Sequence, residues 1–116
     1  MHEMSIVASL LDIIKAELAA NNATKLLMVR VKHGRLSNVV PEAMEFAFTA
    51  MTMGTEYEGA RIELEEIPLT LRCAICKTEF SPEDQDIFMP CPQCGEQVGH
   101  AILTGRELYL DRLVAE

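Results

Sequence analysis

Near the start of the chain, Ile6, Val7, Leu10, Leu11, Ile14 and Leu18 recur at three- and four-residue steps. That spacing stacks them on one side of a helix and predicts an amphipathic α-helix over residues 3–20. Glu3 and Ser5 place negative charge and an acceptor in its first turn, and Asn21-Asn22 ends it. The period then drops to two. Residues 25–33 predict a strand with Val29 and Val31 on one face and Arg30 and Lys32 on the other, broken by Gly34. Pro41 suits the first position of a second helix, about 41–53, on which Met44, Ala47, Phe48 and Met51 share a face and which Gly54 closes. Residues 60–69 alternate again, Ile62 and Leu64 against Glu63 and Glu65. So do residues 106–114, with Leu108 and Leu110 opposite Glu107, Tyr109 and Asp111.

Residues 70–102 break this pattern, with all four cysteines, three of the five prolines and few long aliphatics. The expected fold class is therefore α/β (α+β): two helices packed on a small three-stranded sheet, with an inserted zinc-ribbon-like domain held by the cysteines. The expected division is an α/β domain of residues 1–69 plus 103–116, and a metal-held domain of residues 70–102. Met44, Met51 and Met53 are expected in the core by their helical spacing, not at a soft metal site. His33 is read as a solvated strand end and His100 as a surface residue.

The chain has 116 residues, 49% of them hydrophobic, enough for a real core but with no membrane-length apolar run. His2 and Glu3 stand where an export signal needs basic residues, and Asp12 and Lys15 interrupt the apolar stretch, so a soluble cytoplasmic protein is expected. The formal charge is −8 and aromatics are only 5%. Such a surface repels phosphates, which argues against nucleic-acid binding and favours cationic partners.

Cys73-x-x-Cys76 and Cys91-x-x-Cys94 have the spacing of a site built from four cysteines. Each pair forms a tight turn that brings two sulfurs onto one ion, and two turns complete a tetrahedron. Gly95 supplies a residue able to take positive φ where the second turn closes. The absence of an export signal and the confinement of the cysteines to one segment favour structural Zn2+ over disulfides. A thiol oxidoreductase using the two pairs is the enzymatic alternative, though no preceding βαβ pattern supports it.

At the other extreme of the chain stands Met1-His2-Glu3. A retained Met1 leaves a free amine one residue before an imidazole. The amine, the His2 backbone nitrogen and the near ring nitrogen of His2 then form fused five- and six-membered chelate rings. The fourth donor is left open between the Glu3 backbone nitrogen, the Glu3 carboxylate and a group from elsewhere. A planar, nitrogen-rich field suits Ni(II) or Cu(II). A frayed, functionless terminus is the plain alternative.

Met1-His2-Glu3 before an apolar helix, Gly34-Arg35-Leu36-Ser37, Cys73-x-x-Cys76, Cys91-Pro92-Gln93-Cys94-Gly95 and Gly105-Arg106-Glu107-Leu108 together resemble the HypA/HybF family over the whole chain. These are accessory proteins for nickel insertion into [NiFe] hydrogenase. The resemblance implies a nickel metallochaperone, not an enzyme. His2 would be the essential ligand of transient Ni2+ cargo, aided by the Met1 amine with Glu3 close by. Cys73, Cys76, Cys91 and Cys94 would hold structural Zn2+. It implies as partners a HypB-like maturation GTPase and the hydrogenase large-subunit precursor, with urease served by some members. A monomer or weak homodimer that binds neither nucleic acid nor membrane is expected. Some relatives place an acidic ligand at the start of the second helix, where only Glu42 stands here. A protein-interaction adaptor that never carries nickel is the alternative function.

Overall fold

The computed structural model describes residues 3–82 and 87–116. Its elements are α1 (Glu3–Ala20), β1 (Leu26–Gly34), α2 (Pro41–Thr52), β2 (Arg61–Ile67), β3 (Thr70–Arg72), β4 (Glu79–Phe80), β5 (Ala101–Thr104) and β6 (Leu108–Ala115). They form two three-stranded sheets, ordered β2-β1-β6 and β4-β3-β5. Two compact units result: Met1–Lys32 with Val39–Glu65 and Tyr109–Glu116, and His33–Asn38 with Glu66–Leu108. No helix among the described residues is long and apolar enough to cross a membrane.

In the first unit the helical periodicity does what it predicts. Val7, Leu10, Ile14 and Leu18 of α1 are buried, as are Met44, Ala47 and Phe48 of α2 and Val29 and Val31 of β1. Each fully buried aliphatic contributes about 1.5–3 kcal/mol of transfer free energy, so this stripe drives the packing of the helices on the sheet. Pro41 opens α2, and Thr52 Oγ1 donates to the Phe48 carbonyl at 2.8 Å near its end. Met53 is the C-cap and Gly54 follows at φ +76°, the left-handed residue a helix end commonly uses.

β1 runs antiparallel to β6. Lys25 and Glu116 exchange backbone hydrogen bonds just beyond one end, and Gly34 N–H donates to the Glu107 carbonyl at the other. β1 and β2 run the same way, since Arg30 pairs with Glu63 and Arg35 with Glu66. A parallel pair needs a crossover, which α2 provides. Arg30 and Lys32 lie on the sheet face opposite Val29 and Val31. There Arg61, Glu63, Arg30, Asp111 and Lys32 alternate in sign at 3.3–4.0 Å, partly exposed pairs that set polarity more than stability.

In the second unit, residues 70–104 form an antiparallel sheet beside the cysteine turns, with Leu71 opposite Phe80 and Ile102. Leu69, Leu71, Cys73, Phe80 and Cys91 make a small core, with Leu36, Ile87, Met89 and Ile102 packed on it. His33 is 4% exposed, so it is a buried strand residue and not a solvated end. Met53 is 64% exposed, because nine residues after Met44 it falls on the opposite side of the helix from the face that Met44 and Met51 share. Leu108 is exposed while Leu110 packs on the first core.

Gly34 does not break β1; it is its last residue. It is needed for space: a Cβ there would stand 2.1 Å from the carbonyl carbon and oxygen of Gly105. Gly105 has φ +127° and accepts the Leu36 N–H at 2.7 Å. Two main chains therefore cross where neither segment carries a side chain.

Candidate metal centre

The two Cys-x-x-Cys segments fold into near-identical turns. Cys73 N–H donates to the Thr78 carbonyl at 2.9 Å and its carbonyl accepts Lys77 N–H at 3.2 Å. Cys91 N–H likewise donates to Glu96 at 2.9 Å and its carbonyl accepts Gly95 N–H at 2.9 Å. In each turn the first sulfur accepts the backbone N–H two residues on, Ile75 to Cys73 and Gln93 to Cys91, both at 3.4 Å. The residue after each second cysteine is left-handed: Lys77 at φ +67° and Gly95 at φ +82°. Gly95 takes the role its sequence suggested. Lys77 does the same without a glycine, which no residue-type signal reveals.

The turns bring all four sulfurs within 4.8 Å of one another. Cys73 Sγ lies 3.4 Å from Cys94 Sγ, and Cys76 Sγ lies 3.5 Å from Cys91 Sγ. A tetrahedral ion bonded to sulfur at about 2.3 Å places the sulfurs roughly 3.8 Å apart, so the donor set fits one divalent metal. The first cysteine of each pair is buried and the second is exposed. Four thiolates without a cation repel one another, and the thiols divide accordingly. The Thr78 hydroxyl, then its backbone N–H, pull the Cys76 thiol down to about 6. Backbone N–H groups, that of Cys76 first, also lower Cys73. The Glu96 backbone N–H pulls on Cys94, but the Cys73 side chain, burial and the other thiols outweigh it and push Cys94 up to about 12. A divalent cation would relieve that competition for all four.

His100 is half-buried, not on the open surface as its sequence position suggested. Its ring meets Phe80 edge-on with centroids 5.1 Å apart. Nε2 lies 3.1 Å from the Met89 carbonyl, just before Pro90 and Cys91, and the buried Nδ1 has no partner. A proton on Nε2 satisfies the carbonyl and ties the second turn's approach to this half-buried ring.

Of the terminal trio, Met1 and His2 lie outside the described residues, and Glu3 is the first residue of α1, half-buried in its acidic first turn.

Comparison with known proteins places these features. A family model described as "Hydrogenase/urease nickel incorporation, metallochaperone, hypA" matches residues 1–115. The hydrogenase maturation factor HypA of Solidesulfovibrio magneticus is 48% identical over 117 residues, spanning 100% of both chains. That of Lawsonia intracellularis is 46% identical over 118 residues, again 100% of both. The chain belongs to the HypA family. The solution structure of the Ni metallochaperone HypA from Helicobacter pylori superposes with a TM-score of 0.66 at 25% identity, over 99% of this chain and 97% of that one. A second HypA solution structure reaches 0.73 at 26% identity, over 100% and 97%. The two helices, small sheets and clustered cysteines are thus the HypA fold, and the family is one of maturation factors for nickel incorporation.

Proposed function

We propose that this chain is a nickel metallochaperone that carries Ni2+ at its N-terminus to the [NiFe] hydrogenase large-subunit precursor in the cytoplasm. Family membership from residue 1 onward supports this reading most directly. The Met1 amine, the His2 backbone and imidazole nitrogens, and Glu3 are the proposed nickel donors. Glu3 opens a helix whose buried face anchors it, and Met1 and His2 directly precede it in the sequence. Binding there requires proton loss from the amine, imidazole and backbone amide, so it weakens as pH falls and lets the ion be passed on.

Cys73, Cys76, Cys91 and Cys94 hold Zn2+, which supplies structure. Four sulfurs close the coordination sphere and leave no position for substrate. Residues 70–102 then form the zinc-binding domain, and residues 1–69 plus 103–116 the nickel-binding domain. The partners are a HypB-like GTPase and the hydrogenase precursor, with urease a further recipient, and the chain itself has no catalytic role.

The test is a nickel titration of untagged protein. His2→Ala should abolish tight stoichiometric binding and leave zinc content and fold intact. An extra residue before Met1 should do similar damage, because it moves the amine out of the chelate. Undiminished binding by both variants would overturn the assignment and leave the adaptor reading.

A further inference from the structure

α2 has a second face that core packing does not use. Met44, Ala47 and Phe48 are buried. Phe46 points the other way and is 74% exposed, and Met53 is 64% exposed. At 3.6 residues per turn, seven residues bring Met53 within about 20° of Phe46 around the helix axis. Glu42 lies one turn before Phe46, and Ala50, one turn after, leaves room between the two apolar anchors. Single exposed apolar residues are ordinary. An aromatic ring and a methionine aligned two turns apart are instead the anchor spacing by which a helix enters a groove, and both residue types are enriched at interface centres.

Along this segment of the chain the charge has one sign, and Lys15 of α1 is the cation that shares a cavity with Glu56. From Leu36 to Ala60 the sequence contains no lysine, arginine or histidine, while it contains Glu42, Glu45, Glu56 and Glu58. Glu42 and Glu45 are exposed on α2, and the ion pairs found among the described residues involve neither. We infer that the Phe46–Met53 face of α2 is a docking surface for a different protein that presents an apolar pocket ringed by lysine or arginine. A second copy of this chain is the wrong occupant. A two-fold contact centred on this stripe would bring its acidic residues against their own counterparts, between two chains that each carry −8.

The test uses the full chain with p-benzoylphenylalanine at position 46, irradiated in the cells that normally make it, with adducts mapped by mass spectrometry. The same photoprobe at position 109, an exposed residue of β6, is the control. The expected result is an adduct from position 46 to a different protein, at an apolar segment flanked by basic residues. Its yield should fall at least fivefold when Glu42→Gln and Glu45→Gln are added. With that partner purified, Phe46→Ser should weaken binding about tenfold while the melting temperature stays unchanged. An adduct only to a second copy, none above the position 109 control, or a yield unmoved by the two Gln substitutions overturns the inference. Nickel uptake by Phe46→Ser should equal wild type, so a failed docking surface and a failed nickel assignment appear in separate measurements.

Discussion

Replacing Gly34 with alanine drives a methyl group into the main chain of Gly105. The new Cβ would stand 2.1 Å from the Gly105 carbonyl carbon and oxygen and 2.5 Å from Arg106 N, where carbon contacts settle at about 3.5–4.0 Å. One strand must therefore move by roughly 1 Å or more. Gly105 cannot simply retreat: a Cβ on it would already meet Leu69 at 3.1 Å, and Leu69 is fully buried. Separation strains two short bonds, Leu36 N–H to the Gly105 carbonyl and Gly34 N–H to the Glu107 carbonyl, both 2.7 Å. Losing them costs about 1 kcal/mol each, and overpacking adds about 1–3 kcal/mol. Gly34→Ala should thus destabilise by about 3–5 kcal/mol, a large share of a typical domain's stability. Urea unfolding of the metal-loaded protein reads this as a midpoint lowered by about 2 M for a slope near 2 kcal/mol/M. Gly54→Ala is the control. It has positive φ but nothing within 4 Å of a Cβ, so it should cost only about 1 kcal/mol. If Gly34→Ala costs no more than Gly54→Ala, the crossing is not sterically closed and the reasoning fails.

Other expectations concern the sulfur cluster. Gly95→Ala should destabilise the metal-loaded form by about 1 kcal/mol through backbone strain alone, whereas Lys77→Gly at the equivalent position should be neutral or mildly stabilising; thermal melts decide both. After chelation, thiol alkylation at pH 7 should strike Cys76 before Cys94. pH 7 lies above the value of about 6 for Cys76 and far below the value of about 12 for Cys94, so only the former is thiolate. Thr78→Val removes the hydroxyl that stabilises that thiolate and should slow Cys76 labelling roughly tenfold. His100→Ala should speed metal loss to chelator several-fold by freeing the Met89 carbonyl, an effect absent if the ring only fills space.

The helices and the first sheet were legible because their apolar positions follow one period long enough to outvote local exceptions, as α1 shows. β3, β4 and β5 were not: they span two to four residues each, too short for alternation to register. Gly34 reads as a breaker because a sequence does not show which other backbone will pass close by. His33 and His100 read as wet because imidazole polarity carries no information about the aromatic or strand that covers it. The four cysteines were fully legible as a group, since their spacing already encodes two turns. Lys77 was hidden because its left-handed backbone is imposed by the turn and not chosen by the side chain. Phe46 lies off the face that Met44, Ala47 and Phe48 share, and only its exposure in the fold makes that position informative.

The decisive measurement is metal content combined with X-ray absorption at the nickel and zinc edges, on untagged wild type and His2→Ala. Wild type should bind one zinc in an all-sulfur environment and one nickel in a nitrogen-rich, planar one, and His2→Ala should lose the nickel alone. A nickel spectrum dominated by sulfur, or one unchanged by His2→Ala, would place the cargo at the cysteines and contradict an N-terminal nickel site.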